Sequence, residues 1–101
     1  MANYGCKILA TDYLDGEYSK IWDETKQLCS NEEQLFYKEY ISKNKFKKNV
    51  SFVPVDMNNI PLSLYNKFDF CWSICSLEHI GGLKQSSDFI LNSIKCLKED
   101  G

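Results

Sequence analysis

No apolar run in this sequence approaches the length of a membrane span, and no basic start followed by a long apolar stretch opens it. Neither a transmembrane helix nor a secretory signal is therefore expected. A basic surplus is missing as well. The formal net charge of the 101 residues is -2, which argues against an electrostatic nucleic-acid binder. The exception is the cluster Lys43, Lys45, Lys47 and Lys48. It follows an acidic stretch and reads as a solvated helix end ahead of a nucleic-acid contact. Closely spaced cysteine pairs are lacking too. Cys6, Cys29, Cys71, Cys75 and Cys96 are odd in number, which points to reduced thiols and a cytoplasmic chain rather than a disulfide scaffold. Cys71, Cys75 and His79 have a metal-like spacing without a fourth ligand, so buried thiols are expected there and no metal site. Repeats and low-complexity linkers are absent. What remains, 44% hydrophobic and 26% charged residues, is the balance of one small globular domain over residues 1–101 with a single core.

The chain divides into short elements. Cys6 to Thr11 is apolar and partly β-branched, and it ends on Asp12, so it reads as a buried parallel strand. Residues 18–28 carry Ile21, Trp22 and Leu28 and predict a helix. Ser30 followed by Glu33 fits a capping box and predicts a second helix from Asn31, with Phe36 meeting Tyr40 and Tyr37 meeting Ile41. Val50 to Val55 predicts another strand, placed at a sheet edge by Pro54, which has no N–H for a ladder. Residues 57–67 read as a loop with one helical turn. Residues 68–74, apolar at most positions, predict a third and central strand. After the break at Gly81-Gly82, residues 84–97 predict a helix capped by Ser86, Ser87 and Asp88, with Ile90, Ile94 and Leu97 as one apolar stripe. Two strands separated by helices imply a parallel crossover, and ligands of open α/β sheets bind beyond the carboxyl ends of the strands. Asp12, Asp56 and the Ser73–His79 turn fall at such ends. Three strands are few for a parallel sheet, and an exposed sheet edge would favour self-association.

An acid at a strand end can accept hydrogen bonds from both hydroxyls of a ribose, and it can equally cap a turn. Asp12 alone leaves both readings open. His79 is the one imidazole available as a base near neutral pH, and it can also be a helix-start residue held by backbone. Asp69, at a strand start, reads as structural. Trp22 and Trp72 read as core residues.

Taken in order, the pieces resemble class I S-adenosylmethionine-dependent methyltransferases. Gly5 to Asp12 resembles the second strand of that family. Val55-Asp56-Met57 resembles the acid-plus-apolar pair after its third strand. Residues 68–73 resemble its fourth strand, Ser76-Leu77-Glu78-His79-Ile80 the turn that follows, and Cys96 to Gly101 the end of the next helix. The nearest look is to bacterial members with a "DMN-IP" loop, matched by Asp56-Met57-Asn58-Asn59-Ile60-Pro61, and a "WS-C-LEH-GG" turn, matched from Trp72 to Gly82. The resemblance spans nearly the whole chain. It departs where the first strand and its glycine-rich loop have no counterpart, and where Glu99-Asp100 replaces proline and glycine.

The resemblance implies an α/β fold, a partial Rossmann-like doubly wound parallel sheet built from strands two to four with flanking helices. It implies methyl transfer from S-adenosyl-L-methionine to a small-molecule or glycan-related acceptor. Asp12 would hold the ribose, and Asp56 the adenine amino group with Met57 at the ring edge. Ser73 and Ile74 would line the cofactor side, and Glu78 and His79 would contact the acceptor. Methyl transfer from a sulfonium needs alignment and water exclusion more than acid–base groups, so no triad or metal signature is required. Two other readings share some of these residues. Another Rossmann-like nucleotide binder would use Asp12 but would not need Asp56-Met57 with Glu78-His79. A truncated, non-catalytic module would act through a partner.

Overall fold

The computed structural model describes residues 1–15 and 19–101. The expected start of the first helix, at Tyr18, lies outside the described residues. The chain forms two compact units, Met1–Val55 and Asp56–Gly101. Among the described residues no helix is long and apolar enough to cross a membrane.

The first unit is built on strands β1 (Ile8–Asp12) and β2 (Val50–Pro54). They pair in parallel, with Ile8 opposite Val50 and Asp12 opposite Pro54. The β-branched and aromatic side chains of Ile8, Val50, Phe52 and Val53 suit a pleated, half-buried surface. The ladder stops at Pro54. Beyond it the Val55 amide donates to the Asp12 carbonyl at 2.9 Å. Between the strands lie α1 (Ser19–Glu24) and α2 (Lys43–Asn49). In α2, Ser42 is the N-cap, and its side chain accepts from the Lys45 amide at 3.4 Å. Phe46 and Asn49, three residues apart on one face, are the helix's buried residues. Phe46 stands 5.2 Å from the Phe36 ring, and Asn49 donates from Nδ2 to the Ala2 carbonyl at 2.8 Å. Burying a phenylalanine stabilises by about 2 kcal/mol. The lysine cluster belongs to α2 itself. Lys47 and Lys48 sit in its last turn, where cations face the negative end of the helix, and the Lys7 ammonium donates to the Lys48 carbonyl.

The helix expected from Asn31 is instead a single 3-10 turn, Glu32–Leu35. Asn31, not Ser30, is its N-cap and accepts from the Gln34 amide at 3.2 Å, while the Ser30 amide donates to the Gln34 side chain at 2.8 Å. Phe36 leaves the turn in an extended conformation, because its ring packs on Phe46 rather than on Tyr40. Tyr37 meets Tyr40 instead, at 6.3 Å.

The second unit opens with a turn at Asp56 and a 3-10 turn at Leu62–Leu64. Helix α3 (Leu83–Ile94) follows Gly81 and Gly82, whose φ angles of 120° and 140° are open to glycine and strained for other residues. Its N-cap is Gly82, with no side-chain cap. Ser86, expected in that role, sits a turn further in and donates back to the Gly82 and Leu77 carbonyls. Ile90 and Ile94, the expected inward stripe, are 48% and 56% exposed, and Phe89 is the half-buried aromatic of this helix. After α3 the chain lies beside residues 66–68. Lys67 and Phe68 donate to the Cys96 carbonyl, and Lys98 donates to the Phe68 carbonyl at 2.9 Å. Gly101 closes this seam, where a Cβ would stand 2.9 Å from the Phe68 oxygen.

The expected doubly wound sheet is not formed. The described sheet has two strands, and residues 68–74 contribute a single parallel bridge, Phe68 to Leu97. The physical reason is the lack of a neighbour. A strand exists through the ladder it makes, and no backbone ladder reaches residues 70–74 among the described residues. Phe70, Trp72 and Ile74 are therefore 63%, 55% and 73% exposed, so Trp72 is not a core residue. Cys71 and Cys75 are exposed as well, and the buried thiol of the chain is Cys96.

Candidate functional site

Asp12 stands at the carboxyl end of β1 and is half-buried. One carboxylate oxygen accepts from the Tyr13 amide and the other from the Cys29 amide, both at 2.8 Å. The side chain thus ties the end of the strand to the far side of the α1 connection. Charge-assisted bonds of this kind are about twice as strong as neutral ones. The Cys29 thiol beside it is pushed up, first by burial, against the lowering effect of the Asn31 backbone, with the Asp12 charge adding to the rise. Each carboxylate oxygen has two lone pairs, so acceptor capacity remains beyond the two amides.

The second unit gathers a different set. The Asp56 carboxylate accepts from the Asn58 amide at 2.8 Å through one oxygen, and the Asp56 carbonyl accepts from Asn59 at 2.9 Å. This is an Asx turn, the local bond that aspartate favours. Met57 within it is half-buried. From this turn the Asn58 side chain donates to the Ile80 carbonyl at 3.1 Å. Ile80 ends the 3-10 turn Leu77–His79, so Asp56 and Met57 are tied to the stretch that carries Glu78 and His79. Within that turn His79 Nε2 lies 3.9 Å from Glu78 Oε1, the His79 amide donates to the Ser76 carbonyl, and the Ser86 hydroxyl holds the Leu77 carbonyl at 3.0 Å. Both side chains of the His79–Glu78 pair are about half exposed.

Ser73 and Ile74 lie in the exposed segment before the turn, where the Ile74 carbonyl accepts from the Ser76 hydroxyl at 2.9 Å. Among the described residues no cluster of three histidine, cysteine or acidic side chains is placed to hold a metal, Cys71, Cys75 and His79 included. An open apolar groove of about 300 Å³ runs along the first unit between Ile8, Ala10, Leu35, Ile41, Phe46 and Val50. None of the expected site residues lines it.

No family model, curated protein or solved structure matches this chain.

The Asp56 carboxylate offers an acceptor that can take a hydrogen bond from an amino group. Asp56 keeps one carboxylate oxygen without a hydrogen-bond partner among the described residues, and the half-buried Met57 follows it in the turn. An acceptor beside an apolar edge is what an amino-substituted aromatic ring requires. Two residues that shape the site were not assigned to it from sequence. Asn58 has a visible signal, the Asp-x-Asn spacing of an Asx turn, but its reach to Ile80 has none. Ser86 was expected as a helix cap and instead braces the Leu77–His79 turn.

Proposed function

We propose that this chain binds the S-adenosyl nucleoside of a methyl donor through its second unit, as part of a methyl-transfer site for a small-molecule or glycan-related acceptor. The reading is carried by the bond from Asn58 to Ile80, which joins the Asp56-Met57 turn to the Glu78-His79 turn. These two stretches fall within the loop and the turn that carry the nearest look to bacterial methyltransferases. Asp56 accepts from the adenine amino group through its second oxygen, and Met57 packs at the ring edge. The donor, when bound, supplies an electrophilic methyl group on a sulfonium. Glu78 and His79 contact the acceptor. Where the acceptor must lose a proton, His79 Nε2 takes it and the Glu78 carboxylate steadies the resulting charge. Positioning and water exclusion supply most of the rate in such a displacement. Asp12 has a structural duty in its own unit, so the proposal rests on Asp56. The five free thiols suit a reducing compartment, and the reading assigns the chain to the cytoplasm.

Calorimetric titration of S-adenosylhomocysteine into the full chain tests this, with Asp56→Asn as the control. Asparagine keeps the oxygen that accepts from the Asn58 amide but replaces the second oxygen by an amino group. Saturable binding weakened about tenfold by Asp56→Asn is expected. A folded chain that takes up no ligand, or that binds equally well after the substitution, overturns the assignment.

A further inference from the structure

The net charge of -2, which by itself argues against nucleic acid, conceals a division within the first unit. Every acidic residue of Met1–Val55 falls between Asp12 and Glu39, and none occurs in residues 1–11 or 40–55. Those two acid-free stretches carry Lys7, Lys43, Lys45, Lys47 and Lys48, and the fold brings them together. The 3-10 turn Ala2–Tyr4 docks on α2, where the Asn49 side chain donates to the Ala2 carbonyl at 2.8 Å. Lys45 reaches the same turn and donates to the Asn3 carbonyl at 3.2 Å and to its side-chain oxygen at 3.3 Å. Lys7 donates to the Lys48 carbonyl in the last turn of the helix. Because α2 turns Phe46 and Asn49 inward, its four lysines spread over the remaining, exposed circumference.

None of these five lysines is ion-paired with an acid among the described residues, whereas Lys84 and Lys98 of the second unit each hold an aspartate. Lys7 and Lys45 are bonded to neutral oxygens, which fix the ammonium groups without cancelling their charge. An ammonium has three donors, so each keeps at least one for a further acceptor. Cations gathered without counter-charges repel one another and attract a polyanion. Tyr4 ends the docked turn and is 91% exposed. Cations beside an exposed aromatic ring are what a single strand of nucleic acid requires: phosphates meet the cations and a base stacks on the ring.

We propose that this face of the first unit binds single-stranded nucleic acid, with Lys7, Lys43, Lys45, Lys47 and Lys48 against the phosphates and Tyr4 under a base. An anionic membrane fits less well. Surface helices hold to lipid by inserting an apolar face, and the apolar residue of α2, Phe46, is 6% exposed and packed on Phe36. The surface lies within the first unit and is independent of the methyl-transfer reading, which rests on the second.

Fluorescence anisotropy of a labelled oligothymidine strand of about ten nucleotides, titrated with the full chain at several salt concentrations, is the test. Saturable binding that weakens steeply with salt is expected. Lys47 and Lys48 make no side-chain hydrogen bond among the described residues, so Lys47→Gln with Lys48→Gln removes charge alone. The pair should weaken binding at least about tenfold and lower the slope against log salt by about one. Lys84→Gln with Lys95→Gln makes the same change of net charge on the second unit and should leave affinity within about twofold. Tyr4→Ala should weaken binding at least about fivefold with the salt slope unchanged. Far-ultraviolet circular dichroism checks that each variant keeps its fold. No binding, equal losses from the two lysine pairs, or indifference to Tyr4→Ala would each overturn the proposal. So would capture by phosphatidylserine vesicles of a chain that ignores the strand.

Discussion

Asn58 reaches across its unit to the Ile80 carbonyl, and this 3.1 Å bond is the link that joins the two turns of the candidate site. Asn58→Ala removes it while leaving the backbone amide that Asp56 caps. The expected loss is about 1 kcal/mol of stability, with a parallel loss of S-adenosylhomocysteine affinity. Denaturant titration and calorimetry on the same variant measure both.

Asp12 is expected to matter more for the fold than for any ligand. Asp12→Ala leaves the Tyr13 and Cys29 amides without their acceptor and should destabilise the first unit by about 2 kcal/mol. Hydrogen exchange at those two amides should accelerate ahead of the rest of the unit. Unchanged exchange at Cys29 would show that the connection is held by something else.

How much of this could be read beforehand depends on the range of the interactions. Strands at Ile8–Asp12 and Val50–Pro54 were legible because β-branched runs ending at an acid or a proline are local signals. The turn at Asp56 was legible for the same reason. Residues 68–74 read as a strand just as clearly, yet a ladder needs a second backbone, which no local pattern reports. The 3-10 turn at Glu32–Leu35 had a sound capping signal, one residue out of place, but its extension was decided by Phe36 packing on Phe46. Of the expected site residues, Asp56 and Met57 are tied to the stretch carrying Glu78 and His79 by the Asn58 side chain, whose long-range bond no spacing predicts.

The Asp69–Lys98 pair gives an acid-side signature. The hydrogen bond from Lys98, and then its charge, holds the Asp69 carboxyl below its ordinary value. Its folded pKa is depressed, so its contribution is present above the unfolded value of about 3.9 and is lost as pH falls through the folded value. Both groups face solvent, so the effect is small and weakens with salt. Lys98→Ala should return the Asp69 titration, followed by NMR, to the ordinary aspartate range.

The thiols give the alkaline counterpart. Burial pushes the Cys96 thiol up, with the nearby Cys71 charge as a second cause, and burial pushes Cys71 up as well. The folded chain therefore keeps these protons where the unfolded chain has released them. Their contribution is intact below the ordinary thiol range, about 8.5, and is lost as pH rises through the folded values. Cys96→Ala should flatten the fall of stability with pH, and alkylation should reach exposed Cys6 and Cys75 long before Cys96.

Among the described residues Phe46 is the buried aromatic of the first unit. Phe46→Ala should cost about 3 kcal/mol, enough to unfold a unit with so small a core. Thermal unfolding followed by circular dichroism reads this directly.

The parallel pairing of β1 with β2 also sets an order of events. Every rung of that ladder joins residues separated by the whole of the α1–α2 connection. The entropy of closing so long a loop is lost before a single rung forms, whereas each turn of α3 closes over three or four residues. Refolding from denaturant should therefore be biphasic in pulse-labelled exchange. Amides of α3 become protected early, and those of β1 and β2 acquire protection together in the slower phase.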